Sequence, residues 1–508
     1  MLKVNAQKVG WLMALFSCTY AGSVLANQQA SAQADSVQTV VDTTTTVVQE
    51  VEPLATQQIA LENQLTEEQL AAEQKAEEAR LAAEKQAQAE LMLKNHLGDI
   101  SLQFYSAVAK IYADKQFQPL WTNKAVEAQF LHEYAAMVAS GISKNTFQAL
   151  AKIDEAEEGS LRRDVLLTDA FLDYLYYTKN VSKSAQKWLY SANNYKAQQP
   201  AEEQIAAWLT TLEQDNGSAF LTALSTQNTL YKQTLKALSA SVAEHSDKAA
   251  LSKMYKLAIN AQRLRVIPAF KDGLFVNIPS YKLDYYRDGQ LILSSKVIVG
   301  KKSRKTPVMY SKLSNVVVNP PWNAPVRLIN EDIIPKVRKD PSYIYRNGYT
   351  IIDGKGRTID PYTIDWENMT AKKFPYRLRQ APGDSALGNF KFNMPSSDAI
   401  YLHDTPNRGL FGKSDRALSS GCVRVEKSDQ LATILLKEAG WSEEKKRSVL
   451  QSRKTTSATV SSHNPVFLYY VTMWVNNGQT HTLPDIYGYD VTPNLSYINW
   501  NIVKKYLN

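Results

Sequence analysis

The sequence predicts an α+β multidomain chain in which an all-helical domain is followed by a mostly β domain carrying a long insertion. Residues 98–265 hold apolar and aromatic side chains at helical spacing, and after Pro268 the pattern switches to a period of two. Residues 322–382 then break that period with a Pro-, Tyr-, Lys- and Arg-rich stretch too long for a simple connection. With 508 residues, 44% of them hydrophobic, the chain can bury more than one core, which excludes disorder throughout.

From the N-terminus, Lys3 and Lys8 flank the apolar run 9–17, and Val24-Leu25-Ala26 supplies small residues for cleavage, so residues 1–26 read as an export signal. Mature protein is expected to begin near Asn27, in the periplasm. An uncleaved anchor is the alternative, and membrane contact is expected only in that case. A lipoprotein site at Cys18 is a third reading, disfavoured by the bulky Phe16. Residues 27–57, rich in Gln, Thr, Ser, Ala and Val without a sustained apolar period, read as a disordered tether. Residues 58–97 are mainly Ala, Glu, Gln, Lys and Leu without Pro or Gly, which predicts one long charged helix or weak coiled coil acting as a solvated spacer.

Across 98–265, Phe104, Ala107 and Ile111, and later Phe171, Tyr174, Leu175 and Tyr177, fall on single helical faces. Packing explains this aromatic stripe more cheaply than a sugar-binding groove does. A Pro-containing turn at Phe117-Gln118-Pro119-Leu120-Trp121-Thr122 interrupts the helices. The β domain is expected over 266–490, with a hairpin at Asp288-Gly289 between Leu283/Tyr285 and Leu291/Leu293, and strands at 275–278, 315–319 and 466–475, the last before an Asn477-Gly478 turn. A short helix is expected at 330–338 inside the insertion, and 491–508 is read as a C-terminal tail.

The net charge of +8 is modest for this length and selects no partner. Dense Lys/Arg blocks, zinc knuckles and helix-turn-helix patterns are all missing, so no nucleic-acid partner is expected. Of two cysteines, Cys18 lies in the export signal, which leaves Cys422 as the one thiol of the mature chain. A lone exported thiol is either buried and inert or used.

Tyr401-Leu402-His403-Asp404-Thr405 and Ser419-Ser420-Gly421-Cys422-Val423-Arg424 are separated by one Gly-containing loop. Cysteine attacks as thiolate, and a nearby imidazole can take its proton. Gly421 permits a tight turn that presents N–H donors to an oxyanion, and Arg424, two residues beyond Cys422 on an extended segment, can hold a carboxylate in bidentate fashion. A single Cys and a single His are nevertheless more often packing residues than catalysts, and spacing alone leaves both readings open.

His403-Asp404-Thr405 followed by Ser420-Gly421-Cys422-Val423-Arg424 resembles the signature of the L,D-transpeptidase (YkuD-type) catalytic domain. The resemblance extends to its large YcbB-like branch through Val276-Asn277-Ile278-Pro279-Ser280-Tyr281, Val299-Gly300, Thr306-Pro307-Val308, Asn319-Pro320-Pro321-Trp322-Asn323 and Ala386-Leu387-Gly388, in that order, over about 265–490. A weaker likeness to the branch's helical scaffold domain runs from 98 to 260 and includes Pro119-Leu120-Trp121 and Leu166-Leu167-Thr168-Asp169-Ala170-Phe171. Nothing resembles the separate peptidoglycan-binding module of some relatives.

The resemblance implies Cys422 as nucleophile, His403 as general base, an oxyanion hole at the backbone of Gly421 and Cys422, and a substrate-capping role for 322–382. Arg424, Tyr401, Ser420 and Trp322 are expected to meet substrate, although a core role for Trp322 is about equally supported. A backbone carbonyl, rather than Asp404, is expected to orient His403, because adjacent strand residues point opposite ways. His96, His132, His245, His463 and His481 are scattered without ligand spacing, so neither metal nor cofactor is expected. The implied reaction is cysteine-dependent acyl transfer between peptidoglycan stem peptides, a donor tetrapeptide and an acceptor stem, giving 3→3 cross-links and a thiolate open to carbapenems. Alternatives are L,D-carboxypeptidase activity, hydrolytic release of wall-linked proteins, and a noncatalytic scaffold for other cell-wall synthases. A membrane-surface binder driven by basic charge is weakest.

Overall fold

The structure, a computed structural model, describes residues 54–191, 194–242, 248–460 and 464–507. The export signal, Cys18, His245, His463 and the tether up to residue 53 lie outside the described residues. The chain divides into two units, 1–77 and 78–508. What is described of the first is helix alone, since α1 (Leu54–Leu97) begins there and includes the end of the expected tether.

Within the second unit α1 is exposed on all sides as far as residue 85 and on part of its surface beyond it. Ala89 and Leu93, one turn apart and therefore on one face, are buried, and Gln86 Nε2 donates to the Ser106 carbonyl at 3.0 Å. The last turns thus dock on the helical domain, where a solvated spacer was expected. That domain comprises α2 (Tyr105–Asp114), α3 (Lys124–Ala139), α4 (Lys144–Glu155), α5 (Leu161–Leu189), α6 (Glu202–Glu213), α7 (Gly217–Leu224), α8 (Thr229–Val242) and α9 (Lys248–Arg265). Asn123, Ser143 and Ser160 cap α3, α4 and α5 through their side-chain oxygens, satisfying N–H groups that a helix start leaves unpaired.

Phe171, Tyr174 and Tyr177 are fully buried, and Phe171 packs on Trp208 with ring centroids 4.4 Å apart, so the aromatic stripe is core. The Pro-containing turn is held from α5, where the Asp164 carboxylate accepts from the N–H groups of Leu120 and Trp121, both at 2.9 Å. Asp169 does the same for Gln103 and Phe104 at 3.0 and 2.8 Å. Of the motif residues, Asp169 thus holds backbone, while Thr168 accepts from the Trp121 indole at 3.1 Å and Phe171 packs in the core.

The β domain opens with the meander β1 (Gly273–Asn277), β2 (Lys282–Arg287) and β3 (Gln290–Gly300), whose Asp288-Gly289 turn has both residues at positive φ. Then come β4 (Met309–Lys312) and β5 (Asn315–Val318) and, within the insertion, β6 (Trp322–Asn323), β7 (Tyr349–Ile352), β8 (Thr358–Ile359) and β9 (Arg377–Gln380). The site strands are β10 (Phe390–Asn393), β11 (Leu402–His403), β12 (Ala417–Ser419) and β13 (Val423–Val425). After them come β14 (Thr456–Thr459), β15 (Pro465–Tyr469), β16 (Met473–Asn476) and β17 (Gln479–Thr482). The main sheet runs β14-β5-β10-β11-β13-β3-β2-β1-β15-β4, with β12 added alongside β3.

The single strand expected at 466–475 is two. Asn277 exchanges both side-chain hydrogen bonds with the backbone of Val471, and Asn260 Oδ1 accepts from Thr472 N at 2.9 Å, so side-chain amides replace the ladder there. The resulting β16–β17 hairpin turns away to the helical domain, where Val475 N donates to Thr234 Oγ1 at 3.0 Å.

The insertion has its own core of Ile329, Ile333, Ile334, Val337, Ile344, Ile351, Ile364, Trp366 and Leu378, and its own sheet, β6-β9-β7-β8. Its helical run is longer than expected, comprising α10 (Val326–Leu328), a π-helical turn (Ile329–Ile333) and α11 (Ile334–Val337), with α12 (Tyr343–Arg346) beyond. Two further helices, α13 (Ser428–Glu438) and α14 (Glu443–Ser452), follow the site strands. The expected C-terminal tail ends in α15 (Trp500–Leu507), which buries Val503 and Leu507 against the helical domain and places the Leu507 carbonyl 2.6 Å from Ser239 Oγ.

Arg263, 1% exposed, joins the two halves. It donates to the Leu189 and Tyr489 carbonyls and pairs with Asp490 at 2.7 Å. Arg263→Ala leaves the Leu189 and Tyr489 carbonyls unpaired and Asp490 with only Lys256, at 3.3 Å, as its cation, and is expected to cost about 2–4 kcal/mol in chemical denaturation. A loss below about 1 kcal/mol would show that the pair contributes little net stability.

Candidate active site

β11 lies between β10 and β13. Lys391 is in register with His403 on one side, and His403 with Arg424 on the other. Registered residues share a sheet face, so Lys391, His403 and Arg424 project together, while Phe392, Leu402 and Val423 point into the core with no exposure. Tyr401 and Cys422 lie two residues back on the neighbouring segments, where Val423 N donates to the Tyr401 carbonyl at 3.1 Å. The Tyr401 ring meets His403 edge-on at 5.6 Å between centroids, and Lys391 Nζ sits 4.2 Å above it.

His403 Nδ1 lies 2.5 Å from the carbonyl oxygen of Asp404. A carbonyl only accepts, so Nδ1 carries the proton and Nε2 presents its lone pair. A backbone carbonyl therefore orients the ring. The Asp404 carboxylate faces elsewhere, accepting from Ser428 Oγ at 2.7 Å, Arg408 at 3.0 Å and Asn389 N at 2.9 Å. Gly388 is required beside it, because a Cβ there would lie 2.5 Å from Asp404 Oδ2. Burial, reinforced by the charges of Arg424 and Lys391, lowers the His403 pKa to about 3, so the imidazole is neutral.

Cys422 is a half-buried free thiol whose Sγ lies 3.9 Å from the Ala399 carbonyl. Burial raises its pKa, opposed by hydrogen bonding from Tyr401 and by the charges of Lys391 and Arg424. With the thiol raised and the imidazole lowered, the resting pair is neutral. No hydrogen bond joins them among the described residues.

The Gly421 N–H donates to Ser419 Oγ at 3.1 Å, so it is not the expected oxyanion donor, and the Cys422 N–H is the one left unengaged among the described residues. The positive φ of Gly421, +125°, explains the glycine instead. The Ser420 hydroxyl accepts from Arg304 Nη1 at 3.0 Å. Trp322 is half-buried on β6 and is not among the residues of either apolar core; its ring lies 6.1 Å from that of Tyr349.

Arg424 Nε is buried without a partner, and neither Arg424 nor Lys391 forms an ion pair among the described residues. Lys391 escaped the sequence reading. Its only signal was a lysine in Phe390-Lys391-Phe392, a position facing away from the core. Lys391→Met removes one of two cations acting on the thiol, and iodoacetamide alkylation of Cys422 at fixed pH is expected to slow roughly threefold to tenfold. An unchanged rate would show that the ammonium does not act on the sulfur.

The fold and site define a two-part protein, a helical scaffold joined to a β-rich domain with a cysteine–histidine site beside a self-contained insertion. Residues 271–439 match the YkuD family, the L,D-transpeptidase catalytic domain, and residues 106–238 match the family described as the scaffold domain. A Haemophilus influenzae protein named "Putative L,D-transpeptidase" is 60% identical over 418 residues, which cover 82% of this chain and 85% of that protein. The chain belongs to the L,D-transpeptidase family. A solved structure described as the "Ldtfm-avibactam carbamoyl enzyme" aligns with 47% of this chain and 80% of its own at 10% identity and a TM-score of 0.19, a likeness too loose to bear on the fold.

Proposed function

We propose that this protein forms 3→3 cross-links between peptidoglycan stem peptides by acyl transfer through Cys422, in the periplasm after export by its N-terminal signal. The observation that carries the reading is a half-buried thiol beside a carbonyl-anchored imidazole at one sheet face, flanked by two cations without carboxylate partners among the described residues.

A donor tetrapeptide places its terminal D-alanine carboxylate on Arg424 and Lys391. Neutralising those charges removes two of the influences that depress His403, so the ring becomes a stronger base when donor is bound. His403 Nε2 takes the thiol proton as Sγ attacks the carbonyl carbon of the third residue, the L-centre of a diamino acid such as diaminopimelate. The oxyanion faces the Cys422 N–H. Collapse breaks the C–N bond, the imidazolium protonates the departing D-alanine nitrogen, and a thioester remains. The side-chain amine of an acceptor stem then attacks the thioester, Nε2 takes its proton, and the thiol is restored. The insertion, whose Glu331 and Asp332 pair with Arg304 beside Ser420, caps the groove and limits water.

Purified protein incubated with disaccharide-tetrapeptides is expected to release D-alanine and form dimers linked between diamino acids, read by mass spectrometry. D-alanine release without dimers would favour a carboxypeptidase, and release of neither product would refute the reading. A scaffold for other wall synthases is the separate alternative, and it requires function to survive loss of Cys422.

A further inference from the structure

The loop after β3 is bound to the nucleophile segment by its backbone. Lys301 N donates to the Ser419 carbonyl at 3.0 Å, and Thr306 Oγ1 donates to the Gly421 carbonyl at 2.7 Å while accepting from Gly300 N at 2.8 Å. Between those anchors Arg304 is 7% exposed. One guanidinium nitrogen reaches Ser420 Oγ, two residues before the reactive sulfur, at 3.0 Å. The same fork pairs with Asp332, through Nη1 and through Nη2 at 2.8 Å, and with Glu331 at 2.6 Å. Both acids stand on the π-helical turn of the insertion.

These are the only ion pairs joining the insertion to the surrounding domain among the described residues. The other pairs within the insertion, Arg327 with Glu331, Arg346 with Asp340 and Arg357 with Asp353, are internal to it. Because its apolar core is separate from the main one, the insertion can tilt without opening either. Only a planar fork reaches two carboxylates and a hydroxyl at once, which a lysine ammonium does poorly.

We infer that Arg304 is a positioning residue that latches the insertion to the nucleophile loop and thereby decides whether an acceptor amine or water takes the acyl group. With the latch made, the covering subdomain and the Ser420-Gly421-Cys422 turn move as one body. With it broken, the subdomain opens without disturbing Cys422 or His403, and water reaches the thioester. The second half of this inference rests on the acyl-transfer reading, and the first does not.

The test uses the full chain with Arg304→Gln, with Arg304→Lys as the conservative variant, and with the Glu331→Gln/Asp332→Asn pair, which breaks the latch from its half-exposed side if Arg304→Gln folds poorly. Three readouts apply: hydrogen exchange of amides 326–378, alkylation of Cys422 by a bulky maleimide relative to iodoacetamide, and the ratio of hydrolysed to cross-linked product. In Arg304→Gln and the acid pair, cap exchange and bulky-reagent alkylation are expected to rise about tenfold and the hydrolysis ratio several-fold, with partial recovery in Arg304→Lys. Unchanged exchange and alkylation in both variants would overturn the latch. Raised exchange with an unchanged product ratio would overturn its role in acceptor choice. A wild type that makes no product refutes the reaction while exchange and alkylation still judge the latch.

Discussion

Cys422→Ala is expected to abolish D-alanine release and cross-linking, a loss of at least about 10³-fold, while leaving the thermal midpoint unchanged. The two outcomes separate because the sulfur is chemically indispensable to the proposed path but structurally minor. It is half-buried, and its contact to the Ala399 carbonyl, at 3.9 Å, is weak. Alanine leaves the tight turn at Gly421 and the Thr306 bond to its carbonyl in place. Muropeptide profiles from cells lacking other such enzymes give the decisive measurement. Diamino acid to diamino acid dimers that persist with the alanine variant would refute the nucleophile assignment. A carbapenem should add its mass once to the wild type and not at all to the variant.

His403→Ala should lower the acylation step by about 10²- to 10⁴-fold, the range for removing a positioned general base. The ring also carries a pH signature. Its folded-state pKa of about 3 lies below the ordinary 6.5, so on acidification the unfolded chain binds that proton first. Its contribution to stability is therefore complete above pH 6.5 and is lost as pH falls toward about 3. Ring resonances of the ligand-free protein should show no titration near pH 6.5, and they should begin to move near that pH only when an unreactive donor analogue bearing a terminal carboxylate occupies Arg424 and Lys391. A ligand-free ring that titrates at its ordinary value would mean that burial and the two cations do not act on it.

Much of this architecture was legible in the chain because its signals are local. The Asp288-Gly289 turn, the switch from helical to alternating period after Pro268, and the motif around Cys422 each depend on residues a few positions apart. Orientation of His403 by a carbonyl followed from strand alternation alone, which turns Asp404 away. Features that depend on distant partners were missed or misread. The break at Val471 and Thr472 requires Asn260 and Asn277, and the docking of α15 requires a surface more than 350 residues earlier, where Asp154 meets Lys505 at 2.7 Å. Gly421 was assigned to the oxyanion hole from its proximity to Cys422, yet its N–H donates to Ser419 Oγ, and the bond from Arg304 to Ser420 Oγ had no local signal.

By itself the sequence determined the order of helical and β halves, the separate character of residues 322–382, and the identity of one thiol and one imidazole close to it along the chain. Only the tertiary structure decided what those two groups are in chemical terms. Strand register set Lys391 and Arg424 on either side of His403, burial pushed the thiol pKa up and the ring pKa down, and Arg304 tied the insertion to the turn that carries the sulfur. Protonation state depends on burial and on charges brought near from remote parts of the chain, and neither quantity exists until the chain has folded.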